Sequence, residues 1–243
     1  MIMQTKILSC AAYLPDQCLT NDDLTKIVDT SDEWIYERTG IKRRYRAAKD
    51  EYTSDLGFKA AEQALKNANL TAQEIDLIIV ATTTPDNIFP ATAVKIQQKL
   101  NIENICAFDV QAVCSGFIYA LTIADKFLKT GSAKKALVIG AETMSRIMDW
   151  NDRTTCILFG DGAGAVVLST ETSGASDIID SSLHSDGKYT QILYTNGGPS
   201  LTGGKGKIIM QGREVFKQAV NKMSASVLDI MAKIILMLQI SKW

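Results

Sequence analysis

The chain has 243 residues, of which 46% are hydrophobic, enough apolar material for the core of one large domain or two small ones. Its 26 Lys and Arg residues nearly balance its 27 Asp and Glu residues, so the overall charge does not favour nucleic acid or a membrane surface as a partner.

The cysteines form no recognisable framework. They are scattered, odd in number and without a CxxC pair or a Cys/His cluster, at Cys10, Cys18, Cys106, Cys114 and Cys156. This pattern argues against structural disulfides and against a zinc site, so we expect no metal. The apolar run in residues 1–15 is too short for a signal peptide, and no window reaches the roughly 18 apolar residues of a membrane span. Together these features predict a cytoplasmic protein.

The first predicted elements are helices that follow capping residues. In residues 20–40, a Thr/Asn/Asp cluster precedes apolar residues at helical spacing, and a second cap at 30–32 restarts the pattern, which predicts two short helices. Residues 53–69 have the spacing of an amphipathic helix. The β-branched apolar run at 76–84 is too short for a buried helix and predicts a strand.

Helices and strands then alternate along the chain. Residues 92–100 and 115–130 are predicted helices, the second closed by Gly131, and 104–110 and 135–142 are predicted strands. Parallel neighbours in a sheet need a crossover between them, so this alternation predicts a mostly parallel sheet with helices on its faces. The expected fold class is α/β.

The pattern changes after Trp150. Residues 154–171 predict a strand, a glycine turn and a second strand, and a Thr/Ser/Gly-rich stretch suggests a domain boundary near residue 172. We therefore expect a first domain at 1–172 and a shorter, incomplete second domain at 173–243. The second domain is predicted to contain strands near 177–184 and 190–195, a mobile glycine-rich loop at 196–206 and a helix from about Arg213. The apolar run 234–238 breaks the amphipathic pattern of that helix and suggests an aberrant terminus.

Two glycine-rich stretches resemble nucleotide motifs only superficially. The GDGAG run at 160–164 is followed by a β-rich segment rather than by the helix that a dinucleotide fingerprint requires, so a tight turn is the favoured interpretation. The 197–207 stretch has Pro199 where a phosphate loop needs glycine, and Gly206 where it needs Ser or Thr.

Cys114 is the strongest candidate for a chemically reactive residue. In DVQAVCSGFIYAL it lies where a strand-like run gives way to a helix, followed by Ser115 and Gly116. The start of a helix favours a thiolate, and two small residues allow a sharp turn and a close approach of substrate. The alternative is a buried cysteine packed under the sheet, and spacing alone does not decide between the two.

The segment AFDVQAVCSGFIYAL resembles the active-site segment of β-ketoacyl-[acyl carrier protein] synthase III, the condensing enzyme that starts bacterial type II fatty acid synthesis. Further segments are similar to that family in the same order, from about residue 5 to about residue 230: TSDEWIYERTGIKRRY, ATTTPDNIFPATA, DRTTCILFGDGAGAVVL, LHSDGKY and MQGREVFK. The resemblance implies an acyltransferase with a thiolase-like, layered αβαβα fold, its first half complete and its second half truncated, and a homodimer.

The resemblance also implies roles for individual residues. Cys114 matches the nucleophile that takes an acetyl group from acetyl-CoA, and its own N–H matches one donor of the oxyanion hole. The matches to CoA-binding positions are Thr30, Trp34, Arg38, Arg153 and Phe216, with Trp34 and Arg153 enclosing the adenine. Phe89 matches a residue that reaches into the acyl pocket of the partner subunit, and Met144 matches a position near that pocket. Acetyl-CoA is then a substrate, and no cofactor is expected.

Other readings of these residues stay open. Without the resemblance, Trp34 reads as a half-buried helix aromatic. The basic run GIKRRYR is typical of a solvated face, or of a surface that meets CoA phosphates or an acidic carrier protein.

The sequence departs from the family in the residues of the second step. Condensation with malonyl-acyl carrier protein to give acetoacetyl-acyl carrier protein requires a histidine in a PHQAN-like segment and a later asparagine, and neither motif occurs here. The single histidine, His184, matches a non-catalytic position, so we expect it to be structural. The expectation is therefore an enzyme whose second step is impaired, with a tail of the kind that a frameshift and early stop would produce.

Two alternatives follow. One is an inert fragment, or an interaction subunit that pairs with an intact relative through the Phe89 surface. The other is a cysteine hydrolase, which requires Cys114 and His184 to lie within hydrogen-bond reach.

Overall fold

The computed structural model describes residues 3–204 and 206–240, with side chains in the last helix as far as residue 236. The strands in chain order are β1 (Gln4–Tyr13), β2 (Gln17–Thr20), β3 (Arg43–Arg46), β4 (Leu77–Ala81), β5 (Cys106–Val110), β6 (Lys135–Thr143), β7 (Asp161–Glu171), β8 (Leu193–Thr195) and β9 (Ile208–Met210). The α-helices are α1 (Asn21–Thr25), α2 (Asp32–Thr39), α3 (Thr53–Asn67), α4 (Thr92–Lys99), α5 (Gly116–Lys129), α6 (Arg153–Cys156), α7 (Pro199–Thr202) and α8 (Gly212–Ile240).

Capping residues set the starts of the first two helices, as predicted. The Thr20 side chain accepts a hydrogen bond from the Asp23 N–H at the start of α1, and Ser31 does the same for Trp34 in α2. Helix α2 ends at Gly40, whose φ of 69° is the left-handed conformation that glycine adopts without strain. The predictions of α3, α4 and α5 and of the strands β4, β5 and β6 are confirmed with small shifts of their ends.

The main sheet has five strands in the order β1-β7-β6-β4-β5 within the described residues. Strand β4 is parallel to both β5 and β6, whereas β7 is antiparallel to both β6 and β1. The prediction of a mostly parallel sheet is therefore wrong for half of these pairings. Thr143 at the end of β6 pairs with Asp161 at the start of β7, so the chain turns back at the same edge and needs no crossover.

Helices cover both faces of this sheet. Alternate residues of β4 point to opposite sides: Ile78 and Val80 pack against α3 and α4, and Leu77 and Ile79 pack against α5. Both faces are fully buried, which explains why β4 is a continuous apolar run rather than an alternating one. A third apolar cluster, outside the sheet, joins α1 and α2 to the segment that precedes β7.

The predicted hairpin at 154–171 is wrong. Residues Arg153–Cys156 form the short helix α6, capped by the Asp152 carboxylate, and the glycines of 160–164 lead into the single strand β7 rather than into a turn. A Cβ atom on Gly162 would lie 3.2 Å from Leu14 Cδ2 and 3.4 Å from the Tyr13 carbonyl oxygen. Glycine is needed here because the chain at the end of β1 passes close to β7.

The strand expected near 177–184 is also absent from the described chain. Instead, the Asp177 N–H donates to the Thr5 carbonyl, and the Asp177 carboxylate accepts from the Ile7 N–H, so a side chain completes the edge of β1. The strand expected at 190–195 is reduced to β8, which pairs with β9 in a separate two-stranded sheet. The loop expected at 196–206 contains the short helix α7.

The helix expected from about Arg213 starts at Gly212 and continues to Ile240. The 234–238 run lies within α8, but its last two side chains, and the tail 241–243, fall outside the described residues. In the part of the chain that is described, no helix is both long and apolar enough to cross a membrane.

Candidate active site

Cys114 lies at the edge where the three parallel strands end. The register pairs Ala81 of β4 with Val110 of β5 and with Gly140 of β6, so the carboxyl ends of these strands are side by side. After Val110 the chain makes a 3-10 turn at Val113–Ser115 and enters α5 at Gly116. The cysteine is exposed, so the structure excludes the buried core thiol that the sequence left as an alternative.

The backbone before Cys114 is strained. Val113 has a φ of 48°, in the left-handed region that β-branched residues rarely adopt. Such a conformation costs roughly 1–3 kcal/mol and persists only where neighbouring groups hold it. Just after the cysteine, a Cβ on Gly116 would lie 3.3 Å from the Ala81 Cβ, so α5 begins tightly packed on the end of β4. The cysteine is therefore presented by a sharp turn with little room to relax.

Next to this turn, Glu142 near the end of β6 collects hydrogen bonds. Its carboxylate accepts from the Thr83 N–H at 2.8 Å and from the hydroxyls of Thr84 and Thr82. Burial raises the pKa of the Glu142 carboxyl, although the hydrogen bonds from Thr84, Thr83 and Thr82 act in the opposite direction. Sequence reasoning missed this residue; the available signal was an acidic side chain at the end of an otherwise apolar strand, KALVIGAE.

A second cluster forms around Trp34. The guanidinium carbon of Arg38 lies 4.4 Å from the centre of the Trp34 ring, and that of Arg153 lies 4.8 Å from it. Both are cation–π distances. The Arg153 Nη1 also donates to the Asp29 carbonyl at 2.8 Å. The structure thus brings together three of the residues that the resemblance assigns to CoA, although α2 and α6 are far apart in sequence.

A small open cleft of about 390 Å³ adjoins this cluster, lined by Ile27, Val28, Asp29, Asn151 and Arg153. Thr30 follows Asp29 directly, and its hydroxyl is buried without a hydrogen-bond partner among the described residues. An unpaired buried hydroxyl costs free energy unless another group satisfies it. Thr30 therefore has a free polar group beside the cleft.

The remaining predicted site residues, Phe89, Phe216 and Met144, lie outside the Trp34 cation–π cluster. Phe89 is 82% exposed, at the tip of a loop that borders an open cavity of about 930 Å³. Phe216 is 72% exposed on α8. Met144 packs with the third apolar cluster, which also includes Trp34. Of these three residues, Phe89 shares its cavity with Thr83 and Gln111, which adjoin the turn that carries Cys114.

The basic run 40–46 is divided between structural and exposed roles. Arg44 is buried, and its Nη2 donates to Asn21 Oδ1 at 2.8 Å and to the Ile157 carbonyl at 3.0 Å. Burial lowers the pKa of Arg44. Lys42 lies over the Tyr36 ring and Arg46 over the Trp150 ring, while Arg43 is exposed. The run is therefore not a uniform solvated face, because Arg44 is a core residue.

His184 does not pair with Cys114 in the described structure. Its Nε2 lies 2.7 Å from the Ser182 hydroxyl, and its backbone carbonyl accepts a hydrogen bond from the Tyr119 hydroxyl at 3.3 Å. No hydrogen bond between the imidazole and the Cys114 thiol occurs among the described residues. The geometry gives no support to the cysteine hydrolase alternative.

Comparison with known proteins agrees with the fold and with the motifs. A sequence model of 3-oxoacyl-[acyl-carrier-protein (ACP)] synthase III matches residues 108–187. The β-ketoacyl-[acyl-carrier-protein] synthase III of Rhodospirillum centenum is 58% identical over 235 residues, which cover 96% of this chain and 73% of that relative. The enzyme of the same name from Ehrlichia canis is 56% identical over 227 residues, covering 93% of this chain and 71% of that relative.

Solved structures give the same result. The crystal structure of 3-oxoacyl-[acyl-carrier-protein] synthase III from Aquifex aeolicus superimposes with a TM-score of 0.84 at 51% identity, covering 90% of this chain and 68% of that one. The synthase III from Pseudomonas aeruginosa gives a TM-score of 0.83 at 37% identity, covering 94% and 70% of the two chains.

The fold and these relatives define the class of the protein, which is an acyl-transferring condensing enzyme with an α/β, thiolase-like architecture. More specifically, the chain belongs to the β-ketoacyl-[acyl-carrier-protein] synthase III family. The predicted fold class, enzyme class and family are confirmed.

Proposed function

We propose that Cys114 accepts the acyl group in the first step of a condensation that starts fatty acid synthesis. The Cys114 sulfur attacks the thioester carbonyl of acetyl-CoA, the bond from that carbonyl to the CoA sulfur breaks, and CoA leaves as a thiol with the proton from Cys114. The observation that carries this proposal is the exposed cysteine on a strained turn, at the start of a 14-residue helix and at the carboxyl ends of three parallel strands.

The local electrostatics suit this step. The positive end of α5 favours negative charge in its first turn by about 0.3–1 kcal/mol. That charge develops on the attacking sulfur and then on the carbonyl oxygen of the tetrahedral intermediate. We assign the Cys114 N–H as one donor to that oxygen, the arrangement that electrostatic stabilisation of acyl transfer requires.

We assign CoA recognition to the Trp34 cluster. A base inserted between Trp34 and Arg153 needs about 7 Å between them, twice the roughly 3.5 Å contact distance of stacked groups. At the observed 4.8 Å there is no room for a base, so in this assignment Arg153 moves outward to admit the adenine. The free hydroxyl of Thr30 and the guanidinium of Arg38 then contact the nucleotide, and Phe216 borders the path of the pantetheine arm.

We assign Phe89 and Met144 to the acyl pocket, with Phe89 acting across a homodimer. The support for this role is the exposure of Phe89 on a loop that hydrogen bonds of Asp86 anchor to the neighbouring helices. The Asp86 carboxylate accepts from the Ser54 N–H at 2.9 Å, from its hydroxyl at 2.7 Å and from Lys95. A large apolar side chain on a fixed, exposed loop is suited to fill a pocket on a second subunit.

The full reaction of the family would continue with malonyl-acyl carrier protein, releasing CO₂ and giving acetoacetyl-acyl carrier protein. The histidine and asparagine that this step requires have no counterpart in these 243 residues. We therefore propose that these 243 residues by themselves transfer the acyl group and condense it poorly, in the cytoplasm, with acetyl-CoA as substrate and without a cofactor. We also propose the division into a domain at 1–172, which ends one residue after β7, and a second one from residue 173 to residue 243.

One observation favours a second candidate function. Helix α8 presents a stripe of exposed apolar residues at Phe216, Val220, Met223, Val227 and Met231. In an inert subunit that pairs with an intact relative, such a stripe and the Phe89 loop would be covered by the partner.

Incubation with [¹⁴C]acetyl-CoA separates these candidates. We expect one acetyl group per chain on Cys114, none in Cys114→Ser, and full labelling in Cys106→Ser, which removes another exposed cysteine. An unlabelled parent protein would refute acyl transfer and leave the inert subunit. Formation of acetoacetyl-carrier protein at the parent's acylation rate would refute the impaired second step.

A further inference from the structure

Glu142 lies at the centre of a hydrogen-bond network that the proposed reaction does not use. The Thr84 hydroxyl donates to it and accepts from the Thr143 N–H at 2.8 Å; the Thr82 hydroxyl donates to it and accepts from the Thr84 N–H at 3.2 Å. Each hydroxyl thus gives its only donor to Glu142, which is the acceptor on which both converge. The carboxylate fixes the turn that follows β4.

That turn is joined to the turn that carries Cys114. The Thr82 N–H donates to the Val110 carbonyl at 3.2 Å, and the Gln111 Nε2 donates to the Thr83 hydroxyl at 3.1 Å. Val110 and Gln111 lead directly into Val113. The contacts therefore form a continuous path from Glu142 through Thr83 and Gln111 to the strained residue.

The strain at Val113 requires an external restraint. Its side chain is 51% exposed, so packing around the isopropyl group holds it in the left-handed conformation only in part. The groups that remain to hold it are the hydrogen bonds on either side: the path to Glu142 before it, and the first turn of α5 after it. Strained backbone of this kind is maintained by surrounding structure and is concentrated at functional sites.

We infer that Glu142 is a positioning residue: through Thr83 and Gln111 it holds the strained Val113 turn and so fixes the direction of the Cys114 thiol. This inference rests on the proposed role of Cys114 as acyl acceptor. It differs from a general structural role because it predicts an effect confined to Cys114, and one that disappears when the strain is removed.

The test compares Glu142→Ala and Glu142→Gln with the matched surface variant Glu62→Gln, which changes an exposed carboxylate on α3. The first measurement is the rate at which iodoacetamide modifies Cys114 relative to Cys106 in the same molecule, by peptide mass spectrometry. We expect this ratio to fall towards one in Glu142→Ala, to fall less in Glu142→Gln, which keeps one acceptor oxygen, and to stay unchanged in Glu62→Gln. An unchanged ratio in folded Glu142→Ala overturns the inference.

The second measurement is acetylation of Cys114 at varied acetyl-CoA concentration. Displacing a reacting atom by about 1 Å can cost up to a hundredfold in rate. We therefore expect Glu142→Ala to lower the maximal acetylation rate about 10- to 100-fold without changing the half-saturating concentration. A change in the half-saturating concentration alone overturns the inference, because it would place Glu142 in CoA binding.

A variant without the backbone strain at residue 113 is a direct control for the effect of Glu142→Ala. Glycine adopts a positive φ without penalty, so Val113→Gly should make the turn independent of the network. In the Val113→Gly background, Glu142→Ala should change the Cys114 ratio by less than twofold. An equally large effect in both backgrounds overturns the inference.

Labelling of the buried Cys156 would report whether Glu142→Ala is unfolded. If it is, two further variants test the inference instead. Thr83→Val and Gln111→Met each break the path beyond Glu142 while leaving its backbone contact with Thr83 intact. Both should lower the Cys114 ratio, and no change in either overturns the inference. A parent protein that is alkylated but not acetylated would refute the proposed function alone, since the alkylation ratios still test the network.

Discussion

The guanidinium carbon of Arg153 lies 4.8 Å from the centre of the Trp34 ring, so the two side chains touch each other and leave no space for a third group between them. Arg38 lies against the same ring at 4.4 Å. The site proposed for the adenine is therefore closed. Nucleotide binding must replace the contact between Trp34 and Arg153 with contacts between each of them and the base.

Trp34→Ala should weaken CoA binding by roughly tenfold or more, because stacking on one base contributes about 1–3 kcal/mol. Arg153→Lys should lose most of the same contribution, since an ammonium group cannot stack as a planar guanidinium does. Isothermal titration with CoA measures both effects. Lys66→Ala, which removes an exposed lysine of α3 outside the cluster and outside the basic run, serves as the control. Equal affinity in all four proteins would contradict the assignment.

Phe89→Ala should weaken concentration-dependent dimerisation and leave the chain folded, because the side chain is 82% exposed and packs on little of its own subunit. Sedimentation velocity at several protein concentrations measures the dimer fraction. Leu201→Ala is a matched control, since Leu201 is 78% exposed on α7. If both variants dimerise like the parent, Phe89 has no role across an interface.

Ile139→Ala should destabilise the chain by about 2–5 kcal/mol. Ile139 is fully buried on β6 in the larger core cluster, so truncation leaves a cavity that rigid neighbours cannot fill. Urea unfolding monitored by circular dichroism gives the change in the free energy of unfolding. Ile179→Ala, at an exposed position, should change it by less than about 0.5 kcal/mol. A similar loss in both would show that the cluster is not the core.

Asp125 should make stability fall in acid. Burial alone would raise its pKa, but hydrogen bonds from Thr5, Lys129 and Lys126 outweigh burial and hold the pKa of the folded state below its ordinary value. The unfolded chain then binds the proton more readily, so this contribution is complete above the ordinary Asp pKa of about 3.9 and is lost as the pH falls through the folded value.

The free energy of unfolding of Asp125→Asn, measured between pH 6 and pH 2.5, should fall less steeply than that of the parent. Asp22→Asn on the exposed start of α1 provides the comparison. Parallel curves for the parent and Asp125→Asn would contradict the assignment of this carboxylate.

Local patterns in the sequence identified most of the fold, and distant contacts account for what was missed. The caps at Thr20 and Ser31 and the spacing of α3 depend on neighbours within a few residues, so they are visible in the sequence. Gly162 is explained by the close approach of the chain at the end of β1, about 150 positions earlier, and a local reading took it for part of a turn. β1 itself went unpredicted, since its exposed and partly buried residues give no clean alternation.

In the candidate site, too, residues set by local sequence were predicted and residues set by distant contacts were missed. Cys114 could be found because the strand-to-helix transition and the small residues after it are adjacent in sequence. Glu142 could not, because its partners come from the turn after β4, some 60 residues before it. Arg44 was misjudged for a related reason: its burial depends on Asn21 and Ile157, which no pattern in the basic run reveals.

The position of β7 in the sheet has a consequence for synthesis on the ribosome. β7 lies between β1 and β6 and pairs with both, yet it is the last of the five strands to be made. β1 emerges first and cannot find its partner until residues 161–171 have left the exit tunnel. Its backbone stays unpaired while more than a hundred residues are added, so closure of the sheet must follow nearly all of the first 171 residues.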